Sequence, residues 1–455
     1  MKATQLSPRR AAWEVLSNFN AAEHNCAELV EKFGEQTQNR ASLVDISFGI
    51  IRNSVFIDNL ISLVSVKPLK NIPPKILNCL RIAVYELVFT SQADYAIVNE
   101  AVNLAKAIGS KKAAGFANAV LRKMSASIKN KTADLSKTDL RKTLPLSPAV
   151  GCEFNIDILP DADKQMGEYL SCAFSLPLWL IEQWLNQFSF EQTKNICFAS
   201  NRRPSVYARP NKLKINAEKL FETLKNQEVD CELAEEYKMV RINKSGNIAG
   251  LESFKAGLFT IQDLTSSSVV ALLNPQPGWK IFDICAAPGT KTTQIAELIG
   301  DKGLIIATDI DDSRLGRIGK NVRRLGITSV KISAYEDFLK EAGQAEANAV
   351  LLDVPCSNTG VLAKRPEVRL RLDKKRLEEI VKIQIELLEF ASPLVKKGGK
   401  ICYSTCSILN RENSEIVNNF ISKKRGFVLE QEKLILPSAK VWDFDGGYTA
   451  ILVKT

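Results

Sequence analysis

Two stretches of the chain carry a cysteine just beyond an apolar run. Ala349 to Leu352 leads into Asp353-Val354-Pro355-Cys356-Ser357, and Lys400 to Tyr403 leads into Ser404-Thr405-Cys406-Ser407. Short apolar runs bounded by turn residues read as buried strands, so both cysteines and Asp353 would stand at strand ends. Asp283 ends a similar stretch, Trp279 to Ile284, and Asp309 follows Leu304 to Ala307. In an open α/β sheet, ligands lie beyond the carboxyl ends of the strands. Two thiols and several carboxylates would therefore converge on one edge. The single histidine, His24, excludes a Cys–His dyad and a histidine general base. The 10 cysteines show no CxxC spacing, which argues against a metal site, and disulfides do not suit a cytosolic chain. Cys402, inside its strand, reads as a small core hydrophobe.

The stretch Asp283-Ile284-Cys285-Ala286-Ala287-Pro288-Gly289-Thr290-Lys291-Thr292-Thr293 is a strand end, a turn of small residues and a helix start. Small residues let the backbone approach a ligand closely, and the free N–H groups of a first helical turn favour a negative group. Asp309 lies about 20 residues after Gly289, where an acid takes a ribose diol in dinucleotide-type corners. The corner Cys285–Lys291 with Asp309 thus predicts a site for an adenosine-bearing cofactor. A phosphate-gripping loop would need a glycine immediately before Lys291, and a dinucleotide fingerprint would need three spaced glycines. Both patterns are missing, which disfavours a nicotinamide-dependent oxidoreductase.

The elements that must hold these residues alternate. After a helix opening at Leu264, strands at Leu304 to Ala307, Val330 to Ile332, Ala349 to Leu352 and Lys400 to Tyr403 are separated by helices over Ser313–Leu325 and Lys374–Val395. That alternation predicts a mostly parallel, doubly wound sheet over 261–455. Residues 1–128 read as all helix. Ser7-Pro8 starts a helix by capping, and apolar faces at helical spacing follow in Leu43 to Ile51, Ile57 to Val64, Ile76 to Phe89 and a last pattern from Asn99 to Lys123. Residues 129–168 turn polar and proline-rich and read as a linker. Residues 169–260 read as a small α+β insert, with Trp179 and Trp184 in its core.

The net charge of +10 suits a nucleic-acid partner. Arg9, Arg10, Lys111, Lys112, Arg122 and Lys123 are candidate phosphate contacts, and the basic, aromatic stretch from Arg202 to Pro210 could line a path for RNA. No apolar run is long enough to span a membrane, and the start, Met1 to Gln5, lacks the apolar core of a signal peptide. The expected setting is cytoplasmic, without membrane or metal, as a monomer.

The helical start, above all Asn99 to Lys106 with Ala113 to Lys123, resembles the RNA-binding domain of the NusB antitermination family. Asp283–Thr292, Leu351–Gly360 and Tyr403–Ser407 resemble the motifs of the NOL1/NOP2/Sun family of RNA cytosine-carbon-5 methyltransferases. Together the two resemblances cover nearly the whole chain and are closest to bacterial members acting on small-subunit (16S) ribosomal RNA. They imply a NusB-like domain, an RNA-binding insert and a Rossmann-like class I methyltransferase domain that uses S-adenosyl-L-methionine. By this resemblance Cys406 is the nucleophile on carbon 6 of cytosine, Cys356 assists release of the enzyme, and Asp353 holds the base edge or the cofactor. Cys285, Ala286, Ala287, Pro288, Gly289, Thr290 and Lys291 wrap the methionine end and Asp309 the ribose, with Ile310 flanking the adenine.

Some positions depart from the family pattern. Val354 replaces the usual alanine, and no acid follows the third strand at Ala334, the nearest being Glu336 and Asp337. Leu370 stands where tryptophan is common, and Asp445-Gly446-Gly447-Tyr448 differs from the usual near-terminal run. The rival reading is an RNA-binding assembly or antitermination factor whose sheet no longer catalyses, and the intact cysteine pair argues against it.

Overall fold

The computed structural model describes residues 5–37, 39–243, 246–342, 346–423 and 426–455. Met1 to Thr4, read above for a leader, lie outside them. The chain divides into two compact units.

The first unit runs to Arg202 and takes in Leu362–Arg371. It opens with helices Pro8–Asn18, Cys26–Gly34, Arg40–Arg52, Ser54–Val64, Pro74–Phe89, Asp94–Ile108 and Lys111–Ser127. Ser7 caps the first as its sequence predicts, its side chain accepting from Arg10 N. The pattern from Asn99 to Lys123 falls on two helices, broken at Gly109-Ser110, where the Ser110 side chain accepts from Ala113 N and starts the second. Helices Arg40–Arg52 and Ser54–Val64 bend by 77° at their junction and bury Leu43, Ile50, Phe56 and Leu60. No single helix among the described residues is long and apolar enough to cross a membrane.

Residues 129–168 differ from the expected linker. They continue a three-stranded antiparallel sheet, with Val150–Phe154 between Ile128–Asp134 and Thr143–Pro145. Its strands are short and bury Ala133, Thr143, Leu144, Cys152 and Phe154. Such brief alternation among charged residues leaves little period to read. Helices Met166–Phe174, Leu178–Gln187 and Phe190–Asn201 complete this unit, so the expected insert 169–260 is split. Trp184 is fully buried, as predicted, and Trp179 only partly.

Two buried arginines fasten Leu362–Arg371 into the unit. Arg52 donates to the Ala363 carbonyl at 3.0 and 2.7 Å. Arg369 donates to the carbonyls of Arg52, Phe174 (3.1 Å) and Ser200 (2.9 Å) and to Asn201 Oδ1 (2.7 Å). Burial, then the charge of Arg52, lowers the Arg369 guanidinium to about 9, yet it stays charged at neutral pH.

The second unit comprises Arg203–Val361 and Leu372–Thr455. It holds a four-stranded antiparallel sheet in the order Cys231–Ala234, Met239–Ile242, Val206–Pro210, Phe259–Ile261. Ala208, Leu220, Leu224, Val240 and Phe259 form its core. Tyr207 and Arg209 do not line an RNA path. Tyr207 is buried and donates to the Asp443 carbonyl at 2.9 Å, and Arg209 is buried in an ion pair with Glu297.

The larger sheet of this unit has seven strands: β1 (Lys280–Asp283), β2 (Leu304–Ala307), β3 (Val330–Ile332), β4 (Ala347–Asp353), β5 (Val395–Thr405), β6 (Phe427–Ile435) and β7 (Gly447–Lys454). Their order is β3-β2-β1-β4-β5-β7-β6. The first five are parallel, and β7 runs antiparallel between β5 and β6. Helices α1 (Thr290–Leu298), α2 (Asp312–Leu325), α3 (Tyr335–Ala342), α4 (Lys374–Ala391) and α5 (Ser414–Lys423) connect the strands. Alternate residues of β4 feed two cores: Val350 and Leu352 join one, Ala349 and Leu351 the other. Burial on both faces is what makes this strand a continuous apolar run. Cys402 is buried in the second core, the role its strand position predicts.

Arg369→Ala should cost roughly 3 kcal/mol, because four buried acceptors lose their donor. Urea unfolding followed by helical circular dichroism should show the loss, and Arg369→Lys should recover less than half of it, having no planar fork.

Candidate active site

β4 and β5 pair in parallel with Leu351 opposite Cys402 and Asp353 opposite Ser404. Each strand then ends in a turn carrying a thiol, and the two sulfurs, Cys356 Sγ and Cys406 Sγ, come to 3.0 Å. Both cysteines are partly accessible and unpaired by disulfide. The hydrogen bond with Cys406, then burial, pushes the Cys356 thiol well above its usual range. Cys356 therefore keeps its proton beside the Cys406 sulfur.

A buried carboxylate ties the two turns together. Glu412 accepts from Ser357 N (2.7 Å), from Gln384 Nε2 (3.1 Å) and from the hydroxyls of Ser357 and Ser407. Gln384 also donates to the Pro355 carbonyl at 2.9 Å. Thr359 Oγ1 and Ser407 Oγ are 2.9 Å apart, and Gly360 N donates to the Cys406 carbonyl at 2.9 Å. A Cβ on Gly360 would meet the Gly446 carbonyl at 2.5 Å and the Cys406 carbonyl at 2.8 Å, so only glycine fits. Burial raises the Glu412 carboxyl, and the serine hydrogen bonds oppose that rise.

Beside the thiols, Lys291 from the first turn of α1 pairs with Asp353, Nζ to Oδ2, at 2.7 Å. Ser404 Oγ donates to the other oxygen at 3.2 Å. Burial acts to lower the Lys291 ammonium, but the charge and hydrogen bond of Asp353 outweigh it and hold the group above its ordinary value. Asp283, one strand over, accepts from Thr292 Oγ1 at 2.6 Å. Burial pushes its carboxyl up to about 7 against that bond, with Asp353 and Asp309 adding to the rise.

The corner between β1 and α1 has the backbone its small residues predict. Gly289 sits at φ +94°, and an added Cβ would meet Ile318 at 3.0 Å. Asp309 holds this loop from the end of β2, accepting from Ala287 N at 3.1 Å, while Arg314 Nη1 reaches the same carboxylate at 3.3 Å. Arg314 Nη2 also donates to the Ala287 carbonyl at 3.0 Å. Two buried atoms at this corner have no partner among the described residues: Asp283 Oδ1 and Thr308 Oγ1. Unpartnered buried polar atoms are costly, and a polar ligand in the corner would satisfy them. Ile310, next to Asp309, is 80% exposed. Burial holds the Cys285 thiol well above its usual range, so its sulfur keeps its proton.

Other predicted residues stand elsewhere. Glu336 and Asp337 are exposed at the start of α3, and Asp337 pairs with Lys340 at 3.1 Å. Tyr448 is buried and donates to Glu432, so it is no stacking platform. Arg9 pairs with Glu86 and Arg10 with Glu14, each staying partly exposed. Lys111, Lys112, Arg122 and Lys123 are exposed on one helix. Among the described residues, no group of three or more His, Cys, Asp or Glu is arranged to hold a metal ion. Sequence reading missed Glu412 and Gln384, which lie outside any recognisable spacing, and it did not single out Asn358 within the Leu351–Gly360 stretch.

Known proteins resemble this chain along most of its length. A family model described as 16S rRNA methyltransferase RsmB/F matches residues 270–444. A ferredoxin-like domain model of RsmF/B-like methyltransferases matches 176–249, and the NusB family model matches 6–126. The chain is 29% identical over 98% of its length to the probable ribosomal RNA small subunit methyltransferase B of Synechocystis, covering 96% of that protein. It is 28% identical over 92% of its length to ribosomal RNA small subunit methyltransferase B of Escherichia coli, covering 91% of that protein. The solved structure of PH0851 superposes with a TM-score of 0.74 at 26% identity, over 100% of both chains.

Two outcomes follow from the site's buried carboxyls. Asp283 is raised in the folded state, so its contribution to stability is full below its unfolded value near 4 and is lost as pH rises through about 7. Melting temperature should fall from pH 5 to pH 8 in the wild type and fall less in Asp283→Asn, compared by calorimetry in matched buffers. Glu412→Ala should destabilise the unit by roughly 2–4 kcal/mol, since its removal orphans several buried donors; denaturant titration measures this.

Proposed function

We propose that this chain, which belongs to the 16S rRNA methyltransferase RsmB/F family, methylates carbon 5 of a specific cytosine in small-subunit ribosomal RNA with S-adenosyl-L-methionine as methyl donor. The observation that carries this reading is the 3.0 Å pair of thiols at the ends of β4 and β5, beside the Lys291–Asp353 ion pair. Carbon 5 of cytosine is a poor nucleophile, and a thiolate adding to carbon 6 is a way to activate it.

Cys406 is the nucleophile in this reading. Its sulfur bonds to carbon 6, and the pair of electrons between carbons 5 and 6 shifts to carbon 5. S-adenosyl-L-methionine, when bound, supplies the electrophilic methyl group that carbon 5 then takes. Solvent then takes the proton of carbon 5, the electrons of that carbon–hydrogen bond re-form the double bond between carbons 5 and 6, and the carbon 6–sulfur bond breaks with its electrons returning to Cys406. The S–H of Cys356, held protonated beside that sulfur, donates to the departing thiolate. Asp353, paired with Lys291, holds the base edge and offsets charge on the ring nitrogens during addition. Cys285 to Lys291 hold the methionine end and Asp309 the ribose. The corner's left-handed glycine and its two unpartnered polar atoms support that assignment.

The RNA is met through phosphate contacts that include Lys111, Lys112, Arg122 and Lys123. The target base must leave its stack to reach a partly buried sulfur, at a cost of about a few kcal/mol, smaller for an unpaired base. The enzyme is read as a cytoplasmic monomer.

Cys406→Ala should abolish transfer of a tritiated methyl group to ribosomal RNA, and full activity in that variant would sink the assignment. Failure of the wild type to label any form of the RNA would instead favour a non-catalytic assembly factor. Cys356→Ala should accumulate a covalent protein–RNA adduct, seen as a retarded band on a denaturing gel.

A further inference from the structure

Asn358 lies two residues beyond Cys356, at φ 62°. That left-handed conformation is uncommon for a residue with a side chain, although asparagine tolerates it better than most. It turns the carboxamide back over the site. Asn358 Nδ2 donates to the Cys356 carbonyl at 2.9 Å. A carbonyl only accepts, so this bond fixes which way the amide faces. Oδ1 is thereby aimed at the second cysteine, and Cys406 Sγ donates to it at 3.2 Å. The backbone N–H of Asn358 lies toward the Cys356 sulfur. One residue thus touches both thiols.

We propose that Asn358 is a further catalytic residue of this site, whose carboxamide oxygen aims the Cys406 sulfur at carbon 6 and holds it as S–H before attack. The inference rests on Cys406 being the nucleophile. Attack on a ring carbon requires the sulfur in one rotamer, and a single acceptor fixed by its own hydrogen bond selects that rotamer at no entropic cost during the reaction. The same acceptor engages only the protonated sulfur, so it restrains the thiol from reacting with small electrophiles. Aiming and restraint have opposite signs in two assays, and a residue needed only for the turn would alter neither.

Asn358→Gly is the informative variant, because glycine accepts φ 62° without strain and removes only the carboxamide. Single-turnover methyl transfer should fall roughly 10- to 100-fold, with binding of S-adenosylhomocysteine and of RNA unchanged. Alkylation of Cys406 by iodoacetamide at pH 7.5, followed peptide by peptide in a mass spectrometer, should meanwhile rise about threefold. Transfer within twofold of wild type would overturn the proposal, and so would slower transfer with unchanged alkylation. Asn358→Gln, if stable, should not restore transfer, since a longer arm cannot meet both the Cys356 carbonyl and the Cys406 sulfur. A fully active Cys406→Ala would defeat the parent reading, whereas an inactive Cys406→Ala beside an unimpaired Asn358→Gly would defeat this inference alone.

Discussion

The parallel pairing of β4 with β5 is the constraint on which the site depends. With Asp353 opposite Ser404, each chain has only two or three residues to travel before its cysteine. A slip of one residue would turn every side chain of the strand to the other face, burying Asp353 in a core and moving its thiol. The register is held from below by two apolar layers that use alternate residues of the same strand. It is held from above by Glu412, which reaches both turns. A charged group is expensive to bury, and four donors arranged around this one offset the cost. The result is rigidity where the sulfurs must stay 3.0 Å apart.

Electrostatics next to the thiols follows from the same packing. Three acids, Asp283, Asp309 and Asp353, end three neighbouring strands, with Lys291 the ammonium paired to one of them. Each acid meets the crowding differently. Asp353 is paired with Lys291, Asp309 accepts from the loop N–H and from Arg314, and Asp283, with a single hydroxyl donor, is pushed up by burial. Similar residues at equivalent strand ends thus acquire separate chemical characters from their immediate partners.

Much of this was legible in the sequence. Strand ends could be read because buried parallel strands are apolar throughout and stop at polar residues, so Asp283, Asp353 and Cys406 were found where they stand. Leu304–Ala307 and Val330–Ile332 matched to the residue. The sheet within 129–168 was not legible because its strands are short and set among lysines. Arg209 and Tyr207 looked like an RNA surface, since charge and aromaticity in a sequence do not reveal that Glu297 and Asp443 wait to pair with them. Glu412 and Asn358 were invisible for the same reason. Their importance lies in which distant residues they meet, and no local period encodes that.

The ten residues Leu362–Arg371 leave the sheet after β4, are embedded with the helical half, and return before α4. A fragment begun at Arg203 would therefore carry a guanidinium evolved for burial whose acceptors, the carbonyls of Arg52, Phe174 and Ser200, had been cut away. The boundary visible along the polypeptide is not a seam along which the molecule can be divided. Expression of either half alone would leave a raw surface, and recombination between homologues would have to exchange this insertion together with the helices that receive it.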